Sequence, residues 1–278
     1  MRRAFLILFA ALTLGMTATM AGRFADDSRF AYEYTRDEVH AAAQADLDLT
    51  LAPYRSSGKL NRGTPEFERV QSLFARLTDV AMQRSDLART LDWAIYVHEG
   101  RFVEAYSRAG GKVVISSRFL ERYRPSDAEL AFVIGHEIAH VLCEHERMNL
   151  SAVWRINAPQ SVQARYAMEF LDTEPMLRAR LAPIARLQER VADRLGLEFA
   201  AAAGADPNGA LGFFDKSAGE AQGGVFPDLH DAPAARKASL LAAVTPSRAF
   251  ATLFRARALN CTPALASLAL QGRPEQVD

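Results

Sequence analysis

The sequence predicts an α+β fold that is mostly helical and contains one small antiparallel sheet. Three observations support this prediction. Apolar residues recur at helical spacing in several long stretches, three short runs of strand-forming residues lie together between residues 93 and 116, and two of the helical stretches begin with capping residues. This order of elements favours helices packed around one small sheet.

The composition is that of a globular protein without a charge bias. The 278 residues include 33 Lys and Arg against 33 Asp and Glu, 49% are hydrophobic and 24% are charged. The charge balance argues against a basic nucleic-acid binder, so we expect no nucleic-acid partner. The proportions of hydrophobic and charged residues argue against a disordered chain and against a polytopic membrane protein. Two cysteines are too few for a disulfide scaffold or a four-cysteine zinc module.

The N-terminal residues are typical of a secretory signal peptide. Arg2 and Arg3 precede an apolar run over residues 5–14, which small residues follow. We therefore predict a signal peptide over residues 1–21 and an exported protein, periplasmic if the source is a Gram-negative bacterium. Residues 4–21 are also just long enough to remain as an uncleaved anchor, and no later stretch has the length and apolarity of a membrane span.

Two helices are predicted before the sheet. The first covers residues 30–51 and ends ahead of Pro53. The second begins after Thr64, which is a capping residue, with Pro65 at the first helical position. Its apolar residues lie on one face, so we expect that face to be buried.

The strands and the later helices follow from the same signals. Residues 93–97, 102–106 and 112–116 predict three short strands separated by glycine-containing turns. A Ser-x-x-Glu capping box then opens an apolar helix expected over 126–147. After a stretch that prolines divide into short pieces, a further helix is predicted over 184–203.

His136, Glu137 and His140 form the pattern His-Glu-x-x-His inside the capped helix. Residues four apart lie on the same helix face, so both imidazoles can reach one ion, while Glu137 is close enough to hydrogen-bond a water held by that ion. The alternative is a core helix with otherwise satisfied polar groups, but burying two histidines and a carboxylate there is costly. The sequence therefore predicts two zinc ligands and a general base.

A catalytic zinc site needs a third protein ligand. The acidic candidates downstream are Glu169, Glu174, Glu189 and Glu198. Glu189 is favoured because Asp193 follows one turn later, so that the pair offers a ligand and a carboxylate that can hold the free ring N–H of a ligating histidine. The alternative is a solvated, salt-bridged helix face, which is what most charged helical runs are.

These motifs resemble those of the gluzincin zinc peptidases that include HtpX and the CAAX prenyl endopeptidases, metallopeptidase family forty-eight, which also has soluble exported members. The resemblance covers about residues 93–240. It is carried by residues 135–141 around the His-Glu-x-x-His pattern, by 189–193 as the family's Glu-x-x-x-Asp, and by 203–207 as the usual sequel to that motif. It implies a zincin-like domain with one Zn²⁺ per chain.

The resemblance also implies roles around the metal. His230 matches a family histidine that steadies the oxyanion, with Arg236 behind it, although a surface loop histidine is the alternative reading. Residues 104–115 resemble the family's strand pair beside the cleft. We therefore expect an extended substrate to add as a strand to an edge formed near residues 111–116. The residues expected to contact it are Gly111, Val113 and Ile115.

Three further residues have no assigned role in catalysis, namely His145, Cys143 and Cys261. His145 follows His140 by five positions, which is off the zinc-facing side of a continuous helix, so we interpret it as a rim or structural residue. Export makes a disulfide between Cys143 and Cys261 chemically possible, but the sequence does not establish the distance between them.

The predicted function is that of an exported zinc endopeptidase, acting on misfolded or envelope proteins as the resemblance implies. Its expected partner is a protein or peptide substrate, and peripheral association with the envelope is compatible with the sequence. The alternatives are an exported chaperone or assembly factor with a closed, regulatory zinc site, and an interaction module with a structural metal. Glu137 argues against both, because a structural zinc has no use for a base. The predicted segments are a signal peptide (1–21), an N-terminal helical segment (22–60), a zinc metallopeptidase domain (61–243) and a C-terminal helical tail (244–278).

Overall fold

The computed structural model of the chain describes residues 32–157, 163–218 and 231–244, together with Leu259 and Cys261. The predicted signal peptide, His230 and most of the predicted tail lie outside these residues. The described elements are α1 (Arg36–Ser56), α2 (Pro65–Arg84), α3 (Asp86–Thr90), β1 (Ala94–His98), β2 (Ala105–Arg108), β3 (Lys112–Ser116), α4 (Ser117–Tyr123), α5 (Asp127–Leu142), α6 (His145–Asn157), α7 (Ala164–Thr173), α8 (Pro175–Ala202), α9 (Pro207–Ala210), α10 (Phe213–Ser217) and α11 (Pro233–Val244). The predicted α+β class, mostly helical with one small sheet, is confirmed. Among these helices, none combines the length and the apolarity that a membrane span requires.

The sheet is mixed rather than antiparallel, which corrects the prediction. Its strand order is β1-β3-β2, with β1 parallel and β2 antiparallel to β3. Gly110 and Gly111, with φ of 86° and 91°, close the β2–β3 hairpin in the left-handed region that glycine tolerates. β3 is therefore the central strand, and the predicted open edge at residues 111–116 is wrong. Gly111, Val113 and Ile115 are all buried.

The prolines expected to end helices lie inside them. Pro53 is within α1 and Pro183 is within α8, so both helices are longer than the sequence predicted. An internal proline removes one backbone hydrogen bond and strains the turn before it. In α1, Leu47 and Leu51 lie in the turns before Pro53 and are fully buried. Their burial indicates that packing outweighs the local cost of the proline.

The capping signals were predicted correctly. The Ser126 hydroxyl accepts from the backbone N–H of Glu129, and the Glu129 carboxylate accepts from the backbone N–H of Ser126, which completes the capping box of α5. The Thr64 hydroxyl caps α2 with a single hydrogen bond, which it accepts from the backbone N–H of Phe67. These caps define where the helices start.

Two glycines allow the central helices α5 and α8 to touch backbone to backbone. A Cβ atom added at Gly135 would lie 2.7 Å from the carbonyl oxygen of Gly196, and one added at Gly196 would lie 2.7 Å from the backbone nitrogen of His136. Neither backbone atom can move aside as a flexible side chain would. The apolar residues around this crossing belong to the main core, among them Leu130, Ile134, Ile138, Leu195 and Phe199.

α5 ends five residues earlier than predicted, at Leu142. Cys143 is its C-cap residue and Glu144 then adopts a left-handed conformation with φ of 51°. The Glu144 carboxylate accepts hydrogen bonds from Arg36 at 2.8 Å and from Arg147 at 2.9 Å, which hold this turn in place. A new helix, α6, therefore starts at His145 in a different direction.

Cys143 and Cys261 form a disulfide with their Cα atoms 5.3 Å apart. The bond joins the end of α5 to a residue 118 positions away, and both partners pack with the main core. It therefore ties Cys261 to the C-terminal end of the central helix.

Gly196→Ala is expected to lower the free energy of unfolding by about 1–3 kcal/mol, because the new methyl group meets rigid backbone on α5. Urea unfolding followed by circular dichroism measures the change. Gly63→Ala is the matched control, since a Cβ atom there has nothing within 4 Å, and it should change stability by less than about 0.5 kcal/mol. Equal stability of the two variants would contradict the close packing of α5 on α8.

Reduction of the disulfide is expected to lower the free energy of unfolding by about 2–4 kcal/mol, because the unfolded chain then loses a long-range constraint. Unfolding in urea with and without reductant measures this difference. The double variant Cys143→Ser with Cys261→Ser should unfold at one midpoint regardless of reductant. A wild-type midpoint that ignores reductant would count against the disulfide.

Candidate metal centre

Three side chains from two helices converge at one point, His136 and His140 from α5 and Glu189 from α8. The Nε2 atoms of the two histidines are 3.1 Å apart. One carboxylate oxygen of Glu189 lies 3.2 Å from His136 Nε2, and the other lies 3.3 Å from His140 Nε2. The side chains are 9, 18 and 13% exposed, so the group is recessed but open to solvent on the His140 side.

The spacing of these atoms fits a zinc ion. Bonds of about 2.0–2.2 Å in a tetrahedral arrangement separate neighbouring ligand atoms by about 3.3–3.6 Å. The observed separations of 3.1–3.3 Å are within a few tenths of an ångström of that range. Two imidazoles and one carboxylate are also a donor set that catalytic zinc sites use, with a fourth position left for water or substrate.

His136 is held from behind by a buried ion pair. Its Nδ1 lies 3.1 Å from Asp193 Oδ1, and Arg236 of α11 donates to both oxygens of that carboxylate, at 2.7 and 2.6 Å. Burial works against a charged imidazole, but Asp193 and Glu189 outweigh it and raise the pKa of His136 above its ordinary value. Burial also works against a charged Asp193, yet Arg236 and His136 lower the pKa of that carboxyl.

His140 is held by His145, the residue five positions further along the chain. The Nδ1 atoms of His140 and His145 are 2.9 Å apart, and His145 is 2% exposed, so it is buried beside a candidate ligand and does not lie on a rim. Burial, followed by the neighbouring His140, lowers the pKa of His145 well below its usual range. Of the two predicted roles, rim or structural residue, this burial agrees with the structural one. The contact with His140 does not follow from the +5 spacing, because α5 ends at Leu142 and the chain then turns.

Glu137 points toward the sheet. Its Oε2 accepts a hydrogen bond from the Ser107 hydroxyl of β2 at 3.0 Å, and the residue is 9% exposed. Ser107 falls within residues 104–115, the predicted strand pair, but the sequence pattern gives it no role in the site. No local signal identifies it, because the contact joins residues 30 positions apart.

A small pocket opens next to the metal centre. His140 and Ser107 line it together with residues of α1, of α3 and of the segment after α5, and five of the lining residues are charged: Arg36, Arg108, Glu144, Glu146 and Arg147. Its apolar lining comprises Val39, Leu87, Leu91, Ala109 and Val141. The pocket therefore presents both apolar and charged groups beside His140.

The structure thus brings together most of the predicted site residues, namely His136, Glu137, His140, Glu189, Asp193 and Arg236. It separates the predicted substrate-contacting residues Gly111, Val113 and Ile115 from any open edge, because β3 is central. His230 lies outside the described residues. Ser107 and His145 are the site residues that sequence reasoning missed.

Arg236→Met is expected to lower the free energy of unfolding by about 3 kcal/mol, because it leaves the Asp193 carboxylate buried without its cation. Arg190→Met is the matched control. Arg190 pairs with Asp231 at 2.7 Å, but these two side chains are 47 and 34% exposed, so its loss should cost less than about 1 kcal/mol. Urea unfolding of both variants tests this, and equal losses would contradict a supporting role for the buried pair.

Comparison with known proteins agrees with this geometry. Over 155 residues, which are 55% of this chain, the sequence is 32% identical to the mitochondrial metalloendopeptidase OMA1 of Arabidopsis thaliana. The aligned part is 31% of that protein, so the match spans about a third of the relative's length. Residues 65–253, which are more than half of the chain and include the whole candidate metal centre, match the model of Peptidase family M48. The family predicted from the sequence is therefore confirmed, and the chain belongs to peptidase family M48.

Proposed function

We propose that this chain is a zinc-dependent endopeptidase that hydrolyses peptide bonds in protein substrates. The observation that carries the proposal is the convergence of His136, His140 and Glu189, with the Glu137 carboxylate on the adjacent residue, inside the matched family region. We assign one Zn²⁺ per chain to the three converging side chains. Bound there, zinc would polarise the substrate carbonyl and make an attacking water more acidic.

Glu137 is the proposed general base. Its carboxylate takes a proton from the water that attacks the carbonyl carbon, and later gives that proton to the amine nitrogen as the C–N bond breaks. The Ser107 hydroxyl holds Oε2 at 3.0 Å, which leaves Oε1 to meet the water. Because Ser107 lies on β2, the sheet and the catalytic helix set the orientation of the base together.

We propose that the substrate binds as an extended strand along β2. In the described part of the chain, β2 pairs with β3 on one side and no strand pairs with its outer edge. A peptide on that edge would pass close to Glu137, because Ser107 belongs to β2 and its hydroxyl donates a hydrogen bond to the Glu137 carboxylate. Main-chain hydrogen bonds would supply much of the binding, so we expect modest side-chain selectivity.

His230 remains the proposed donor to the oxyanion. The supporting observation is that the next residue, Asp231, is paired at 2.7 Å with Arg190, which follows Glu189 directly on α8. Arg236 donates to both oxygens of Asp193, so we assign it to support of His136 and not to contact with substrate.

We further propose that the protein is exported and acts on misfolded or envelope proteins, as the resemblance to HtpX, the CAAX prenyl endopeptidases and their soluble exported relatives implies. Two observations support export. The N-terminal residues are typical of a signal peptide, and Cys143 and Cys261 pair in a disulfide, a bond that persists in oxidising compartments.

Glu137→Gln is expected to lower casein degradation at least about a hundredfold, because the amide cannot accept the proton from the attacking water. Zinc content, measured by elemental analysis of the purified protein, should stay at one ion per chain. The experiment uses the full chain, with a chelator-treated wild-type sample as the zinc-free reference.

Glu121→Gln is the matched control, since Glu121 is an exposed residue paired with Arg118 on α4, and it should keep wild-type activity. Full activity in zinc-loaded Glu137→Gln would overturn the proposed mechanism. A wild-type protein that binds zinc but degrades no protein would favour the closed-site alternative.

A further inference from the structure

We propose that His145 is a positioning residue that holds the zinc ligand His140 in the correct tautomer and orientation. This inference rests on the proposed zinc-dependent function. The two rings meet at their Nδ1 atoms, 2.9 Å apart, with ring centroids separated by 4.8 Å and planes nearly perpendicular at 81°. His145 is 2% exposed, so water does not compete freely for this contact.

Which of the two Nδ1 atoms donates the hydrogen bond follows from what Nε2, the other nitrogen of His140, faces. His140 directs Nε2 at His136 Nε2 and at Glu189, so this is the nitrogen whose lone pair can bind the metal. A neutral imidazole then carries its hydrogen on Nδ1 and needs an acceptor there. His145 Nδ1 lies at that place, which puts the hydrogen of His145 on Nε2, a buried atom without a hydrogen-bond partner among the described residues.

The two histidine ligands are thus supported in different ways. His136 faces the Asp193 carboxylate, which is paired with Arg236. His140 faces another imidazole instead of a carboxylate, at an Nδ1–Nδ1 distance of 2.9 Å. Partners of this kind orient metal-bound histidines, and their loss typically costs 10–100-fold in metal affinity.

The backbone places His145 for this task. Glu144 adopts a left-handed conformation, which is uncommon for a residue with a side chain, and hydrogen bonds from Arg36 and Arg147 hold its carboxylate. The turn sends the first residue of α6 back toward α5. Gln188, the residue before Glu189, donates a 2.9 Å hydrogen bond to the side chain of Asn149, which lies one turn after His145 on the same face of α6.

The test compares two substitutions in the full chain. His145→Leu removes the acceptor at similar bulk, whereas His145→Asn places an amide oxygen near the position of Nδ1. We expect the zinc dissociation constant, measured by chelator competition on folded protein, to rise about 10–100-fold for His145→Leu and to stay within about threefold of wild type for His145→Asn. The visible spectrum of the cobalt-substituted protein should change in the first variant and not in the second.

His98→Leu is the control for loss of a buried histidine. His98 is 1% exposed and stacks on Tyr54 with ring centroids 4.3 Å apart, so the change should lower stability while leaving the zinc dissociation constant of the folded protein unaltered. Unchanged zinc affinity in His145→Leu, or equal losses in His145→Leu and His145→Asn, would overturn the inference.

A measurement on the wild-type protein covers the case in which the variants do not fold. Histidine ¹⁵N spectra of the zinc-loaded protein should show the hydrogen of His140 on Nδ1, the hydrogen of His145 on Nε2, and scalar coupling between the two Nδ1 nitrogens. The opposite tautomer at His145 would refute the inference. A wild-type protein that binds no zinc refutes the proposed function as well, whereas one that binds zinc and degrades casein with an uncoupled His145 refutes only the inference.

Discussion

The close approach of α5 and α8 is the constraint on which the metal centre depends. Gly135 and Gly196 let the two backbones meet where a Cβ atom on either would come within 2.7 Å of the other helix. Glu189, Asp193 and Gly196 follow one another at helical spacing and share one face of α8. α8 therefore touches α5 with the same face that carries the two carboxylates. Because this contact lies next to His136, it brings both Glu189 and Asp193 within reach of the His136 ring.

Support for the site comes from elements that are distant in sequence. Asp193 and Arg236 stabilise His136 through a buried charged pair, His145 contacts His140 through its ring, and Ser107 holds the carboxylate of Glu137. Each contact limits the rotation of one side chain, and together they come from β2, α6, α8 and α11. Preorganisation of this kind is what a catalytic site needs before substrate arrives.

Helix α1 also forms part of the site wall, although it precedes the region that matches the family model. Arg36 pairs with Glu144 at the turn before α6, and Asp46 pairs with Arg108 at the end of β2 at 3.0 Å. Arg108 also lies 3.4 Å from the partly buried Glu146. Burial raises the pKa of Glu146, and Arg108 together with the backbone N–H of Ala109 offsets part of that rise. The Arg36–Glu144 and Asp46–Arg108 pairs fasten α1 to the elements that carry His145 and Ser107.

The sequence by itself determined what depends on spacing within one element. His136, Glu137 and His140 share a helix face, Glu189 and Asp193 share another, and the caps at Thr64 and Ser126 mark helix starts, because a helix turns through the same angle at every residue. Only the tertiary structure decided the features that join distant segments. These are the central position of β3, the continuation of α1 and α8 through Pro53 and Pro183, the disulfide, and the contacts of Ser107 and His145 with the site. The physical reason is that each of them is stabilised by packing or pairing between segments far apart in the chain, which outweighs local preference and leaves no pattern within a single element.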